Sequence, residues 1–167
     1  MKTVAGLMEL SARTAPKAGG RDFVVIKTIM GKELKNLGKS MIDWGKINNN
    51  AMFIRDGNNV VKSDAVVLIG IKESQVAGFN CGACGFDSCE QLQSDEHAQF
   101  KGPSCMTRVL DMGIAIGSAV KTASIHNVDN RVMYRAGMIA RNIKLIDADY
   151  VMGIPISATG KSIYFDR

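Results

Sequence analysis

This 167-residue sequence has little that would mark a nucleic-acid or membrane protein. Aromatic residues make up only 6% of it, too few for base-stacking platforms, and the formal charge of +5 is spread along the chain with no basic run. No stretch reaches the roughly 18 uninterrupted apolar residues that a membrane span requires. Neither nucleic acid nor membrane is therefore expected as a partner. The N-terminal stretch is amphipathic, carries Glu9 and runs into Arg13 and Lys17, unlike a secretory signal, so a cytoplasmic location is expected. Internal repeats and low-complexity segments are absent. His97 and His126 stand alone, and no Ser/His/Asp arrangement emerges. Gly160-Lys161-Ser162 resembles the end of a Walker A loop, but the glycine spacing before it is wrong, so nucleotide hydrolysis is not supported.

What is present is an ordinary globular composition, 46% hydrophobic and 22% charged, in a chain long enough for one domain over residues 1–167. Helical spacing of apolar residues predicts helices over 3–13, 31–46, 51–61, 107–124 and 130–143, with a short one over 88–99. Branched apolar runs predict strands at 23–29, 65–71 and 150–156, of which AVVLIGI at 65–71 is the strongest signal. Proline and paired glycines between Ala15 and Gly20 should stop the first helix. The implied fold class is α+β, a small sheet sandwiched by helices, with residues 78–106 as an insert. Asp56, Asp64, Asp87 and Asp111 read as caps and turn residues.

The insert carries all four cysteines. Cys81, Cys84, Cys89 and Cys105 form C-x2-C-x4-C-x15-C, all within 25 residues. A reducing compartment keeps such thiols free, so they read as ligands rather than disulfides. Thiolate is the soft, anionic ligand that iron–sulfur clusters require, and a cubane takes one per iron. Three close cysteines can wrap one side while Cys105 closes the cage. Gly82 and Gly85 let the backbone curl and turn N–H groups towards sulfur. The expected cofactor is one [4Fe-4S] cluster. Structural zinc uses the same residues, although zinc ribbons pair two C-x2-C knuckles and only one exists here. Two function classes follow: a redox protein, or a binding and sensing module whose metal only shapes the fold.

The stretch from Cys81-Gly82-Ala83-Cys84-Gly85 to Cys89, with Pro103-Ser104-Cys105, resembles the four-cysteine module of corrinoid/carbon-monoxide-dehydrogenase complex subunits and of membrane-bound ferredoxin-oxidising complexes. That resemblance implies a [4Fe-4S] cluster on the four matching positions. Through Ala12-Arg13-Thr14-Ala15-Pro16-Lys17-Ala18, Arg55-Asp56, the segment from Asp111 to Ala119, Gly153-Ile154-Pro155-Ile156-Ser157 and Gly160-Lys161, the whole chain is similar to a bacterial and archaeal family described as containing a ferredoxin domain.

Outside the cysteine loop, the helix ending at the 15–18 turn, the strand after it, the long small-residue helix and the late G-x-P strand resemble nitroreductase flavoproteins. This similarity implies a homodimer, joined here around Gly113, Gly117 and Ser118, with FMN at the interface and an unidentified redox partner. The family's Arg-x-Ser-Arg phosphate grip is not in the sequence, and Lys17 stands where serine is common. Phosphate recognition would then fall to Arg13, Lys17, Lys161 or Arg167, all able to pair with an anion.

Overall fold

The computed structural model describes residues 1–165; Arg167 lies outside the described residues. Helix α1 (Lys2–Thr14) leads through a 3-10 turn, Ala18–Gly20, into strand β1 (Val24–Met30). Helices α2 (Gly31–Ile47) and α3 (Ala51–Lys62) form a hairpin and deliver the chain to β2 (Ala65–Ile71). After the insert come α4 (Met106–Ile125), α5 (Tyr134–Asn142) and a last long strand, Tyr150–Ser157. Three two-residue strands complete the set. In chain order the strands after β2 are β3 (Asp95–Glu96) and β4 (Lys101–Gly102) in the insert, then β5 (Asp129–Asn130) and β6, the long one.

The main sheet has the order β1-β2-β6-β5 and every pairing is antiparallel. Its central strand β2 is buried along its whole length, which is why its sequence is a continuous apolar run rather than an alternation. The pleat divides that run between two cores. Ala65, Val67, Ile69 and Ile71 face α1 and α4, with Met8, Ala12, Met112, Ala115 and Ala119. Val66 and Leu68 face α2, α3 and α5, with Leu34, Leu37, Met41, Val60 and Ile139. The expected α+β sandwich is the observed one. No helix among the described residues is long and apolar enough to cross a membrane.

Three expectations need correction. The helix expected over 88–99 is a 3-10 turn at Cys89–Gln91 followed by the β3–β4 hairpin. The helix expected from 130 begins only at Tyr134, because Asp129 and Asn130 pair with Ser157 and Ile156, and Met133 bridges to Gly153. Asp56 and Asp111 are neither caps nor turn residues. Asp56 is 1% exposed inside α3, where Arg55 bonds one carboxylate oxygen at 2.6 Å and Arg135 of α5 the other at 2.9 Å. A buried carboxylate so paired ties the two helices together.

Candidate metal centre

The cysteine insert leaves and re-enters the body at one end of the sheet, where Val24 and Tyr150 flank Ile71. At its exit, Lys72 donates its backbone N–H to Phe23 O at 3.1 Å, and Glu73 donates to the Asp149 carboxylate at 2.6 Å. Its hairpin is docked as well. Phe100 packs against Tyr150 with ring centres 4.4 Å apart and planes tilted by 52°, and meets Tyr134 edge-on at 5.6 Å. Arg141 of α5 reaches Glu96 at 2.6 Å, and Lys101 donates to Asp149 O at 3.0 Å. The insert is therefore pinned at both ends and in the middle.

Between those pins lie the thiols, all free: Cys81 exposed, Cys84 and Cys89 half-buried, Cys105 buried. The Asn80 side chain accepts the Cys89 N–H at 2.8 Å while the Asn80 N–H points at the Cys89 sulfur at 3.4 Å, closing the loop on itself. Within it Gly82 (φ 70) and Gly85 (φ 90) occupy the left-handed region, and the Gly85 N–H closes a turn onto Gly82 O at 2.9 Å. A Cβ at either glycine would meet nothing within 4 Å, so backbone conformation rather than crowding requires them. Cys105 caps the start of α4. Burial pushes its thiol up, but backbone N–H groups of Ala77, Arg108 and Thr107 outweigh this and hold it below the ordinary thiol range. Among the described residues, no three His, Cys, Asp or Glu side chains, the cysteines included, are gathered where they could hold a metal ion; the four thiols share one loop without converging. By number and chemical type the donor set is one that an iron–sulfur cluster takes: four thiols in one pinned loop, two of them approached by N–H groups that favour the anionic sulfur.

Next to Cys105 lies a feature that sequence reasoning missed. Arg108 is 2% exposed and Asp111 5%, and they pair at 3.0 Å. Arg108 also donates to Gln75 O at 3.0 Å and to Ala18 O at 2.9 Å. The available signal was register: residue 108 lies on the same helical stripe as the buried Met112, Ala115 and Ala119.

Comparison with known proteins bears on the whole arrangement. A protein from Archaeoglobus fulgidus, described only as an uncharacterized protein, is 44% identical over 169 residues, covering 100% of this chain and 91% of its own length. The family described as "Uncharacterized protein containing a ferredoxin domain (DUF2148)" matches residues 101–167. The chain belongs to this ferredoxin-domain family. The fold of this family member is nitroreductase-like. A nitroreductase-like family protein from Bacillus cereus superimposes with a TM-score of 0.61 at 11% identity, covering 97% of this chain and 76% of the other. An FMN-dependent nitroreductase from Mycobacterium smegmatis, solved in complex with NADPH, gives 0.65 at 8% identity, covering 98% and 81%. A nitroreductase with bound FMN from Desulfitobacterium hafniense gives 0.62 at 10%, covering 96% and 79%. These identities speak for the fold alone.

In this family member the cations expected at a phosphate are not gathered in one place. Arg13 pairs with Asp22 at 2.6 Å and donates to Val24 O at 2.7 Å, at the insert end of the sheet. The Lys17 side chain is covered beside it, 3.8 Å from the same Asp22, and caps the carbonyls of Ala12 and Arg13 at the end of α1. Burial alone would push the Asp22 carboxyl up, but the bonds from Arg13 and the Val24 N–H, with the Lys17 charge, hold it below the usual range. Lys161 follows β6, in the segment where Ala158 donates to Asp64 ahead of β2. Arg13 thus sits by the Val24–Ile71 end of the sheet, whereas Lys161 follows the Ser157 end of β6.

Proposed function

We propose that this protein is a redox carrier that holds one [4Fe-4S] cluster on Cys81, Cys84, Cys89 and Cys105 and exchanges single electrons with a partner. The observation that carries the reading is the placement of four free thiols in one pinned insert, with backbone N–H groups directed at Cys89 and Cys105. The ferredoxin-domain description and the oxidoreductase fold support it, as does the resemblance of the cysteine spacing to the four-cysteine modules of corrinoid complexes. A cluster would supply one-electron chemistry. The chain itself does the rest: Asn80 closes the ligand loop, Cys105 anchors it to α4, and Phe100 with Arg141 keeps the hairpin docked. Anaerobic purification with iron and sulfide analysis tests the reading. Close to four irons and four sulfides per chain are expected from one cubane. One zinc and no sulfide, in protein never exposed to oxygen, would replace it with the binding-module reading.

The oxidoreductase fold also supports an FMN site and a homodimer, in which the electron pair of a flavin would be passed on singly. Helix α4 offers the surface for the dimer. Met106, Leu110 and Ile114 are 55%, 60% and 38% exposed at a spacing of four, with Gly113 and Gly117 open beside them. A dimer is expected by light scattering at micromolar concentration, and Leu110→Arg should shift it towards monomer. A monomeric wild type overturns that interface. Phosphate binding would fall to Arg13 with Lys17, or to Lys161, rather than to all three within one chain. Loss of FMN binding in Arg13→Ala or in Lys161→Ala tells which, and no binding at tens of micromolar FMN leaves a cluster-only carrier.

A further inference from the structure

We infer that the buried Arg108–Asp111 pair is a positioning unit for Cys105, fixing the last cysteine against the start of the insert and setting the charge felt by a cluster bound there. The inference rests on the cluster reading above. Its basis is connectivity. The Arg108 guanidinium joins three segments that are far apart in sequence: Gln75 at the entry of the insert, Ala18 in the turn before β1, and Asp111 on its own helix. The Arg108 backbone N–H bonds back to Cys105 O at 3.0 Å and is one of the groups holding the Cys105 thiol down. Asp111 completes the circuit, because its second oxygen accepts the Ala18 N–H at 2.9 Å. Ala77, two residues past the carbonyl gripped by Arg108, supplies another N–H to Cys105. One side chain therefore sets the distance between the two ends of the insert at the point where the sulfur sits.

An apolar pair would fill this stripe of α4 without the desolvation cost that a buried ion pair carries. Arg108 lies about one helical turn from Cys105 and Asp111 nearly two, where little water screens them. The sign of the pair's influence follows. Removing the Asp111 charge leaves the Arg108 cation uncompensated, which favours the more negative, reduced cluster and raises its potential. Asparagine cannot restore both bonds, since one oxygen would face two donors, the Ala18 N–H and the Arg108 guanidinium.

The test uses the full chain, reconstituted anaerobically, as wild type, Asp111→Asn and Arg108→Lys. Three quantities are read: the midpoint potential from a titration followed by electron paramagnetic resonance, the rate of iron loss to a chelator, and amide exchange at residues 75–77 in cluster-free protein. Asp111→Asn is expected at a higher potential than wild type, with iron lost several-fold faster. Arg108→Lys keeps the charge but not the three-way grip. It is expected near the wild-type potential, with iron lost several-fold faster and the 75–77 amides exchanging faster. An Asp111→Asn protein at the wild-type potential overturns the inference while leaving the cluster reading intact. Should that variant not fold, wild-type iron loss and amide exchange in Arg108→Lys overturn it equally. A wild-type chain that takes up no iron overturns the functional reading, and this inference with it.

Discussion

Cys105→Ala protein, reconstituted under the conditions that load the wild type, is expected to hold no stable [4Fe-4S] cluster and yet to remain folded. A cubane bound by four thiolates has one protein ligand per iron, so losing the buried ligand opens an iron on the side facing the protein. The brown absorbance and close to all of the sulfide should disappear. The fold should persist because both cores are built outside the insert, with Phe100 the one insert side chain packed against them among the described residues. Truncating a small buried thiol costs on the order of 1–2 kcal/mol, against about 5–15 kcal/mol for a typical domain. The same loss of colour is expected for Cys84→Ala, whose half-buried site leaves less of a cavity. Far-UV circular dichroism and a thermal melt of the cluster-free proteins check the separation. A variant that keeps its cluster sinks the ligand assignment, and wholesale unfolding of Cys84→Ala sinks the idea that the metal site is an addition to a self-sufficient body.

Gly137→Ala is expected to be the most damaging single methyl group in the protein. Alanine is the better helix former by about 1 kcal/mol, so propensity alone favours the change. Packing overrules it. A Cβ at Gly137 would lie 2.0 Å from Val151 O, 2.6 Å from Val151 C and 2.8 Å from Met152 Cα. All three are backbone atoms of β6, a strand hydrogen-bonded to β2 on one side and to β5 on the other, so it has nowhere to retreat. On the facing side, a Cβ at Gly153 would come within 2.8 Å of Ala136 Cβ. Helix α5 rests on bare strand. Relieving the clash means lifting the helix off the sheet, at a cost of about 4 kcal/mol or more. For a chain of this size the melting temperature should fall by roughly 10 °C or more. Gly6→Ala is the control: it is exposed in α1 with nothing within 4 Å of its Cβ, and should gain about 0.5–1 kcal/mol. Equal melting temperatures for Gly137→Ala and wild type would overturn the close-packing account.

How far the sequence discloses this molecule depends on whether the deciding interaction is local. Strand β2 was legible because burial on both faces writes itself as seven apolar residues in a row. Helices α2 and α3 were legible from apolar residues at spacings of three and four, and the four cysteines, close in sequence, lie in the one segment between β2 and α4. The short strands were not legible. Asp129 and Asn130 have poor strand propensity and pair only because β6 offers them a free edge. The β3–β4 hairpin escaped for a similar reason: Arg141 and the Tyr134–Tyr150 pocket hold it from outside, and its own residues read as well for a helix. Of the buried Arg108–Asp111 pair, Asp111 reads in sequence as a cap or turn residue and nothing singles out Arg108. Only the arrival of Ala18 and Gln75 on α4 gives these charges their partners.

The exposure of the four sulfurs is graded, from Cys81 at the surface to Cys105 sealed against α4. This gradient gives the loop a wet rim and a dry floor. Electron tunnelling weakens exponentially with distance, so traffic with a soluble partner would pass over the rim, beside Cys81 and the 63% exposed Phe79. Dioxygen would attack from the same side. An opening that would make a bound cluster quick to reduce would also make it short-lived in air, and burying the rim would exchange speed for endurance.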